Sequence, residues 1–324
     1  MSLMCKKTTL RLFQIVFSVA LCAMLLLLGW REVPAKDVEI RLSSITFGRP
    51  VVLSADLSRF AGAISSLVWD DFEYVDSKDH GREIQSAMFF EKLGPCYNPT
   101  EAGSQWDSTG PNSSSKVLVA EILGDEIHTK VDAAFWLKPG TPVVQKEGCG
   151  WGARPDVRDA VNKSVRDGYL IEKWVRFSTE GEDVVLSHEV AFHVPRSHKI
   201  GTFDPIAAYL PDVFSRIFVF DGAAGVFNED QTVRPYAFVA GPIVFSTNDG
   251  QHAFGVFCED AAQYIYHRFR ESQVVMANCR DVVEDVRLGT YKYRSKLVVG
   301  PLADVKATIA AISNSNVPPT ASTK

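Results

Sequence analysis

The chain has 324 residues, of which 46% are hydrophobic and 23% are charged, and its formal net charge is −5 at pH 7. This length allows a large buried core, in one big domain or in two smaller ones. Lysine and arginine are scattered along the sequence, whereas a nucleic-acid-binding protein needs a basic face with interleaved aromatic residues. We therefore predict no nucleic-acid partner.

The N-terminal segment has the features of an export signal. Basic residues precede an apolar run at 13–30, and Val33-Pro34-Ala35 follows it, which predicts a signal peptide at 1–35 that is cut after Ala35. The run is also close to the roughly 20 apolar residues that span a bilayer. An uncleaved membrane anchor is therefore the alternative. In either case we expect the rest of the chain to be periplasmic or extracellular, attached to the inner membrane if the segment is uncleaved.

Beyond residue 38 the sequence follows a β pattern. Alternation of apolar and polar residues, rich in β-branched and aromatic types, predicts short strands bounded by turn-forming residues. The predicted strands lie at 38–42, 50–54, 62–69, 72–75, 80–87, 116–123, 128–137, 170–178, 184–194, 237–246, 252–258 and 290–299. A helix is predicted at 302–313 and a short one within 203–220.

These elements predict an all-β fold, a large antiparallel sandwich with few short helices. The sequence shows no internal repeat and no linker, so we predict a single domain at 36–313. A polar segment at 314–324, which contains proline and serine, is predicted to be a disordered tail.

Four cysteines follow the export segment, namely Cys96, Cys149, Cys258 and Cys279. An even number in an exported chain permits two disulfides, with three possible pairings, while buried free thiols are the alternative. None of the four lies in a metal-binding spacing, and His188, His193 and His198 are five residues apart, which places successive side chains on opposite faces of a strand. Phosphate-binding and dinucleotide-binding loops are absent from the sequence. We predict no metal and no cofactor.

A polar stretch at 61–107 is the best candidate for a site. It contains Asp79-His80-Gly81-Arg82-Glu83-Ile84-Gln85, and glycine and proline residues restrict its backbone. If 80–87 is a strand, His80 and Arg82 share one face while Glu83 and Gln85 share the other. The sequence leaves open which pair faces the site.

This stretch has the groups that acid–base chemistry on a sugar requires. His80 is the predicted acid or base, and Glu101 is its predicted partner across the loop. Arg82 is predicted to bind a uronate carboxylate or a ring hydroxyl. The alternative is structural, with Asp79, Arg82 and Glu83 forming an ion-pair network beneath the loop.

Further side chains are predicted to contact a substrate. Trp106 lies in a polar loop, where its ring is able to stack on the apolar C–H face of a sugar, whereas Trp69 is predicted to lie in the core. His252 follows an Asp-Gly turn and is either a site residue or an edge histidine. The predicted substrate-binding residues are Arg82, Gln85, Tyr97, Asn98, Trp106 and His252.

Three parts of the sequence resemble a known family. The phrase Gly62-Ala63-Ile64-Ser65-Ser66-Leu67, the run at 79–85 with 98–103, and the run at 247–253 resemble galactose mutarotase-like super-sandwich proteins, among them uncharacterised exported proteins. The resemblance implies relatives that include aldose epimerases and domains of polysaccharide lyases and glycoside hydrolases. In the epimerases a histidine acid and a glutamate base act on the sugar, and the late glutamate of that scheme has no clear counterpart here.

These observations lead to a functional hypothesis with one alternative. We expect an exported carbohydrate-active protein that binds a poly- or oligosaccharide in a groove, with hydrolysis, lyase elimination or epimerisation by His80 and Glu101 as the chemistry. The alternative is a non-catalytic polysaccharide-binding or envelope protein. A histidine and a glutamate that converge on one cavity favour the enzyme, whereas a flat aromatic strip favours the binding protein.

Overall fold

The computed structural model of the protein describes residues 39–90, 98–142, 160–181, 183–232, 234–269, 271 and 273–315. These residues belong to one compact unit. The predicted export segment, together with Cys96, Tyr97 and Cys149, lies outside the described residues. Within the described ranges, no helix is long and apolar enough to cross a membrane.

The described residues form nineteen strands. Their bounds are β1 Glu39–Thr46, β2 Arg49–Asp56, β3 Ser66–Trp69, β4 Phe72–Glu73, β5 Ile84–Phe90, β6 Pro99–Thr100, β7 Lys116–Leu123, β8 Glu126–Phe135, β9 Arg166–Glu180, β10 Asp183–Val194, β11 His198–Pro211, β12 Arg216–Asp221, β13 Val226–Glu229, β14 Tyr236–Val239, β15 Ile243–Ser246, β16 Ala253–Cys258, β17 Gln263–Phe269, β18 Val274–Val286 and β19 Gly289–Gly300. Two α-helices, α1 Leu57–Phe60 and α2 Leu302–Ser315, and a 3-10 turn at Gln105–Asp107 complete the described elements. The predicted all-β class is confirmed.

The strands form two antiparallel sheets. A small sheet has the order β1-β2-β3-β4, and a sheet of fifteen strands has the order β13-β12-β15-β16-β19-β10-β9-β8-β6-β5-β11-β18-β17-β14, with β7 added beside β8. The short strand β6 divides the large sheet into two parts. We call the strands from β13 to β8, with β7, the wide half, and β5-β11-β18-β17-β14 the narrow half.

The main core lies between these halves. It joins Val175 and Leu297 of the wide half with Ile206 and Val275 of the narrow half, and the small sheet adds residues such as Leu53. Alternation along each strand therefore gives an inner face that packs in this core and an outer face directed away from it. This arrangement confirms the predicted antiparallel super-sandwich.

A disulfide joins the two halves across the core. Cys258 at the end of β16 is bonded to Cys279 of β18, and their Cα atoms are 6.1 Å apart. This is one of the pairs that the sequence left open, and both side chains are buried.

Several local predictions agree with the structure. The strand at 66–69 turns into 72–73 through Asp70 and Asp71, whose φ angles of 49° and 60° are those of a tight type I′ hairpin turn. Trp69 lies in the core, as predicted, and its indole N–H donates to the carbonyl of Thr46 at 3.0 Å. The helix predicted at 302–313 is α2, which ends at Ser315. The tail beyond Ser315 lies outside the described residues.

Two local predictions were wrong. The strand expected at 80–87 begins only at Ile84, because the carboxylate of Asp79 accepts the N–H of Gly81 and its carbonyl accepts the N–H of Arg82, which closes a turn. The short helix expected within 203–220 is absent, since that range contributes to β11 and β12. Pairing with neighbouring strands decides the conformation of such aromatic-rich segments.

Candidate functional site

His80, the predicted acid or base, lies inside its loop. Its side chain is buried, with 1% of its surface exposed, and Nδ1 donates to the carbonyl of Ser108 at 2.7 Å. The ring packs at 5.2 Å from the ring of Phe60. Within the described part of the chain, Nε2 has no hydrogen-bond partner. In this conformation the imidazole therefore has no direct contact with solvent.

Glu101, the predicted partner of His80, faces the core. Its carboxylate is fully buried and lies 2.8 Å from the ammonium group of Lys173 on β9, and it also accepts the N–H of Ser86 at 3.1 Å. A Cβ atom on Gly62 would approach Glu101 Oε1 to 2.8 Å, so this position requires glycine. Lys173 is a residue that the sequence analysis missed. Its position could have been found from the alternation along β9, which places Lys173 between Ile171 and Val175 on the inner face.

The other predicted residues near this stretch are held by local contacts. The guanidinium group of Arg82 lies 2.9 Å from Asp79 and 3.9 Å from Asp76. This is the ion-pair network named as the structural alternative for Asp79 and Arg82, but Asp76 belongs to it in place of Glu83. Gln85 is buried and accepts the N–H of Ala102 at 3.3 Å. Asn98 is also buried, and its main-chain carbonyl accepts the main-chain N–H of Trp136.

Trp106 and His252 are placed differently. The indole ring of Trp106 is 55% exposed, with the ammonium of Lys138 at 5.3 Å. His252 stacks on Phe72 at 4.0 Å in an aromatic cluster beside the small sheet. The loop at 98–104 contains Glu101 and is bonded to Gln85 through the N–H of Ala102. At Gly103 the same loop passes beside the ring of His80. Tyr97 lies outside the described residues.

The outer face of the narrow half has a continuous set of aromatic rings, which we call the aromatic strip. Opposite pairs in adjacent strands align Tyr209, Met276, His267 and Tyr236 in one row. The rings of Tyr209 and Phe269 are 6.2 Å apart, those of Phe269 and His267 are 5.2 Å apart, those of His267 and Tyr236 are 4.4 Å apart, and those of Tyr236 and Phe238 are 5.1 Å apart. The strip therefore consists of Tyr209, Phe269, His267, Tyr236 and Phe238.

A polar group adjoins the aromatic strip on the same face. Asp204, which lies at a bulge in β11, accepts two bonds from the guanidinium group of Arg280, at 2.7 and 2.8 Å, and one from the amide of Asn278 at 3.0 Å. Bulges commonly redirect a side chain next to a functional site. Burial acts to lower the pKa of Arg280, but the bonds to Asp204 outweigh it and the pKa is raised.

The histidine of the strip is uncharged at neutral pH. Burial lowers the pKa of His267 to about 4, and the nearby charge of Arg280 acts in the same direction. A neutral imidazole has one donor and one acceptor nitrogen, which suits hydrogen bonding to a hydroxyl group.

Glu83 lies at the β11 end of the strip. Its carbonyl accepts the N–H of Tyr209 at 3.3 Å, and its side chain is fully buried. Neither carboxyl oxygen has a hydrogen-bond partner among the described residues, and burial raises the pKa of Glu83 well above its ordinary value. The sequence analysis placed Glu83 either with Gln85 on a face of the expected strand or in a structural ion-pair network, and gave it no catalytic role. Its position next to the turn at 79–82 could not be predicted because the strand was expected to begin at His80.

The outer face of the wide half has a separate histidine–glutamate cluster. Glu172 accepts hydrogen bonds from His128, Lys130 and His193, at 3.0, 3.0 and 2.8 Å. Burial acts to raise the pKa of Glu172, but the three donors outweigh it and lower the pKa to about 2. A carboxylate with three partners is a structural anchor on this face. Among the described residues, no three His, Cys, Asp or Glu side chains are grouped so as to hold a metal ion.

Comparison with known proteins gave similarity to solved structures alone. Neither a protein-family model nor a curated protein matches the chain. A galactose mutarotase-like protein from Lactobacillus casei ATCC 334 is similar at 10% identity and a TM-score of 0.42, over 81% of this chain and 100% of that one. A 4-alpha-glucanotransferase from Thermococcus litoralis (9% identity, TM-score 0.41) and an alpha-mannosidase from Enterococcus faecalis V583 (11%, 0.45) match 81% and 82% of this chain, but only 39% and 30% of their own lengths. The first of these solved structures bears the description of the group that the sequence resembles.

Proposed function

We propose that this chain is an exported saccharide-binding protein whose ligand lies along the aromatic strip. The observation that carries the proposal is the strip itself, five rings in contact beside the polar group of Asp204, Arg280 and Asn278. Aromatic rings suit the apolar C–H face of a sugar, while carboxylate, guanidinium and amide groups match its hydroxyls. This face combines both in one place.

The dimensions of the strip favour an oligosaccharide. The row from Tyr209 to Tyr236 crosses four adjacent strands, β11, β18, β17 and β14. Because neighbouring strands lie about 4.8 Å apart, the row extends over about 14 Å, which is longer than one sugar ring. Phe238, at 56% exposure, is directly accessible to a ligand at the β14 edge.

Replacing Tyr236 or Phe238 by alanine is expected to weaken oligosaccharide binding about two- to tenfold through the lost aromatic contact alone. An aromatic contact adds about 0.5–1.5 kcal/mol beyond its buried area, and 1.4 kcal/mol corresponds to a factor of ten. The measurement is calorimetric titration of the full-length protein with neutral and acidic oligosaccharides. Leu288→Ala, at a similarly exposed apolar position outside the strip, is the control and should leave affinity unchanged. If Trp106→Ala loses binding while the strip variants keep it, the ligand lies instead at the polar stretch at 61–107.

Catalysis is a second candidate function, and Glu83 is the observation in its favour. Burial raises the pKa of Glu83 well above its ordinary value, which suits a general acid. Because the side chain is fully buried, this role requires the segment around Glu83 to open. Catalysis by His80 and Glu101, as predicted from the sequence, is the other hypothesis. It requires the loop at 98–108 to open, because both side chains are buried. Assays for new reducing ends and for unsaturated uronates, with Glu83→Gln, His80→Ala and Glu101→Gln run in parallel, distinguish these sites. Binding without any product supports the binding protein.

The state of Glu83 also predicts a pH dependence of stability. Because its pKa is raised in the folded protein, its contribution is fully present below the unfolded value of 4.5 and is lost as pH rises through the folded pKa. Wild type is therefore expected to lose stability relative to Glu83→Gln as pH increases from 4.5. Urea unfolding of both proteins between pH 4.5 and pH 8 measures the difference. Parallel curves over this range would show that Glu83 is already ionised.

A further inference from the structure

The charges around the aromatic strip indicate which class of saccharide it accepts. Several charged groups among the described residues act on its titratable rings, Tyr209, Tyr236 and His267. These groups include Asp204, Arg280, Glu83, Asp79 and Arg82. The balance among these groups decides whether the face attracts an anionic ligand.

Both cations of this set are already paired. Arg280 directs two nitrogens at the two carboxylate oxygens of Asp204, and this two-pronged arrangement uses the donors that would otherwise hold a ligand carboxylate. Arg82 is paired with Asp79 at 2.9 Å, and Asp76 lies at 3.9 Å. Neither guanidinium group therefore offers an uncompensated positive charge.

The other described groups near the strip add no positive charge. His267 is neutral because its pKa is lowered to about 4, and burial raises the pKa of Glu83 well above its ordinary value, which favours the uncharged carboxylic acid. The neighbouring Arg268 donates to the carbonyl of Ser215, away from the strip, and Arg234 lies beside Asp230. Among the described residues of this face, a uronate or sulfate would therefore find no unpaired cation to replace the water that hydrates its charge, whereas a neutral hydroxyl has no such charge to desolvate.

From this pairing we infer that the aromatic strip prefers neutral saccharides to uronic-acid and sulfated ones. The inference rests on the proposed function and narrows it. Of the two roles predicted for Arg82, contact with a ring hydroxyl is compatible with this charge balance, whereas capture of a uronate carboxylate is not.

The test uses ligand pairs that differ only in charge. Acidic polysaccharides and their carboxyl-reduced, neutral forms are titrated with the full-length protein at low and at physiological ionic strength. The expected result is that reduced forms bind at least tenfold more tightly than their acidic parents, with little dependence on salt. Tighter binding of the acidic forms, weakened by salt, would overturn the inference but keep the proposed function. Absence of binding to every ligand would overturn the proposed function and the inference with it.

Two variants test the charge argument directly. Asp204→Asn preserves shape but leaves Arg280 without its carboxylate, and it is expected to raise affinity for acidic forms at least tenfold in a salt-sensitive manner. Gln263→Lys adds a cation directly opposite Arg280 on β17 without disturbing that pair, so it gives the same readout if Asp204→Asn does not fold. Asp260→Asn, which removes a partner of Arg294 on β19, is the matched control. No gain for acidic ligands in a folded variant would show that charge does not set the preference.

Discussion

Lys173→Met is expected to lower the free energy of unfolding by about 3–5 kcal/mol. The ammonium group of Lys173 is the counter-charge of the fully buried Glu101, at 2.8 Å. Removing one member of a buried ion pair leaves an uncompensated charge in the interior, which is what makes this loss so large. Methionine has a similar length and keeps the apolar part of the packing.

The described neighbours of Lys173 offer no cation to replace it. On the inner face, Lys173 lies opposite Thr129 of β8 and Val190 of β10. His188 is buried as well, and both burial and the charge of Lys173 lower its pKa well below the ordinary value. His188 is therefore neutral and does not compensate Glu101.

Urea unfolding monitored by circular dichroism measures the effect of Lys173→Met. The double variant Glu101→Leu/Lys173→Met should recover most of the loss, because replacing both partners by apolar residues is often neutral. Lys292→Met is the matched control on the opposite face of the wide half, where the lysine is 63% exposed and its partner Glu189 is 3.8 Å away. We expect this control to lose no more than about 1 kcal/mol. A loss in Lys173→Met as small as in the control would contradict a charged buried pair.

Local patterns were sufficient to predict most of the fold. The strand at 116–123 was predicted with the bounds it has in the structure, since alternation and the flanking turn residues specify it. The start of β5 was missed because the hydrogen bonds of Asp79 close a turn inside an otherwise strand-like segment. Alternation cannot detect a side chain that binds its own backbone.

The candidate site was harder to predict because it is made by distant pairing. Tyr209, Tyr236 and His267 come from β11, β14 and β17, and each is an ordinary aromatic or histidine residue within its own strand. Only the strand order brings them together on one face. In contrast, His80 and Glu101 were conspicuous in the sequence because polar residues cluster there, and the structure places both inside. A dense run of polar residues is as compatible with a buried network as with an exposed site.

Removing the disulfide in Cys258→Ala/Cys279→Ala is expected to lower the free energy of unfolding by about 3 kcal/mol. The bond closes a segment with a sequence separation of 21 and joins β16 to β18, so it restricts the unfolded chain and holds the two halves of the sheet. Equilibrium urea unfolding of wild type and variant measures the difference. Dithiothreitol should lower the free energy of unfolding of wild type to that of the variant. The variant itself should not respond to dithiothreitol, so it serves as the internal control.

The same bond links the stability of the protein to the compartment in which it folds. Disulfides persist in oxidising environments and are rare in the cytosol, so the Cys258–Cys279 bond is compatible with the predicted export of this chain. Protein produced with the segment at 1–35 removed, in a reducing cytosol, is expected to have Cys258 and Cys279 as free thiols and to show the stability of the double variant. Oxidation in vitro should then restore wild-type stability. Full stability of the reduced protein would mean that packing alone joins the two halves and that the cysteines give no argument for export.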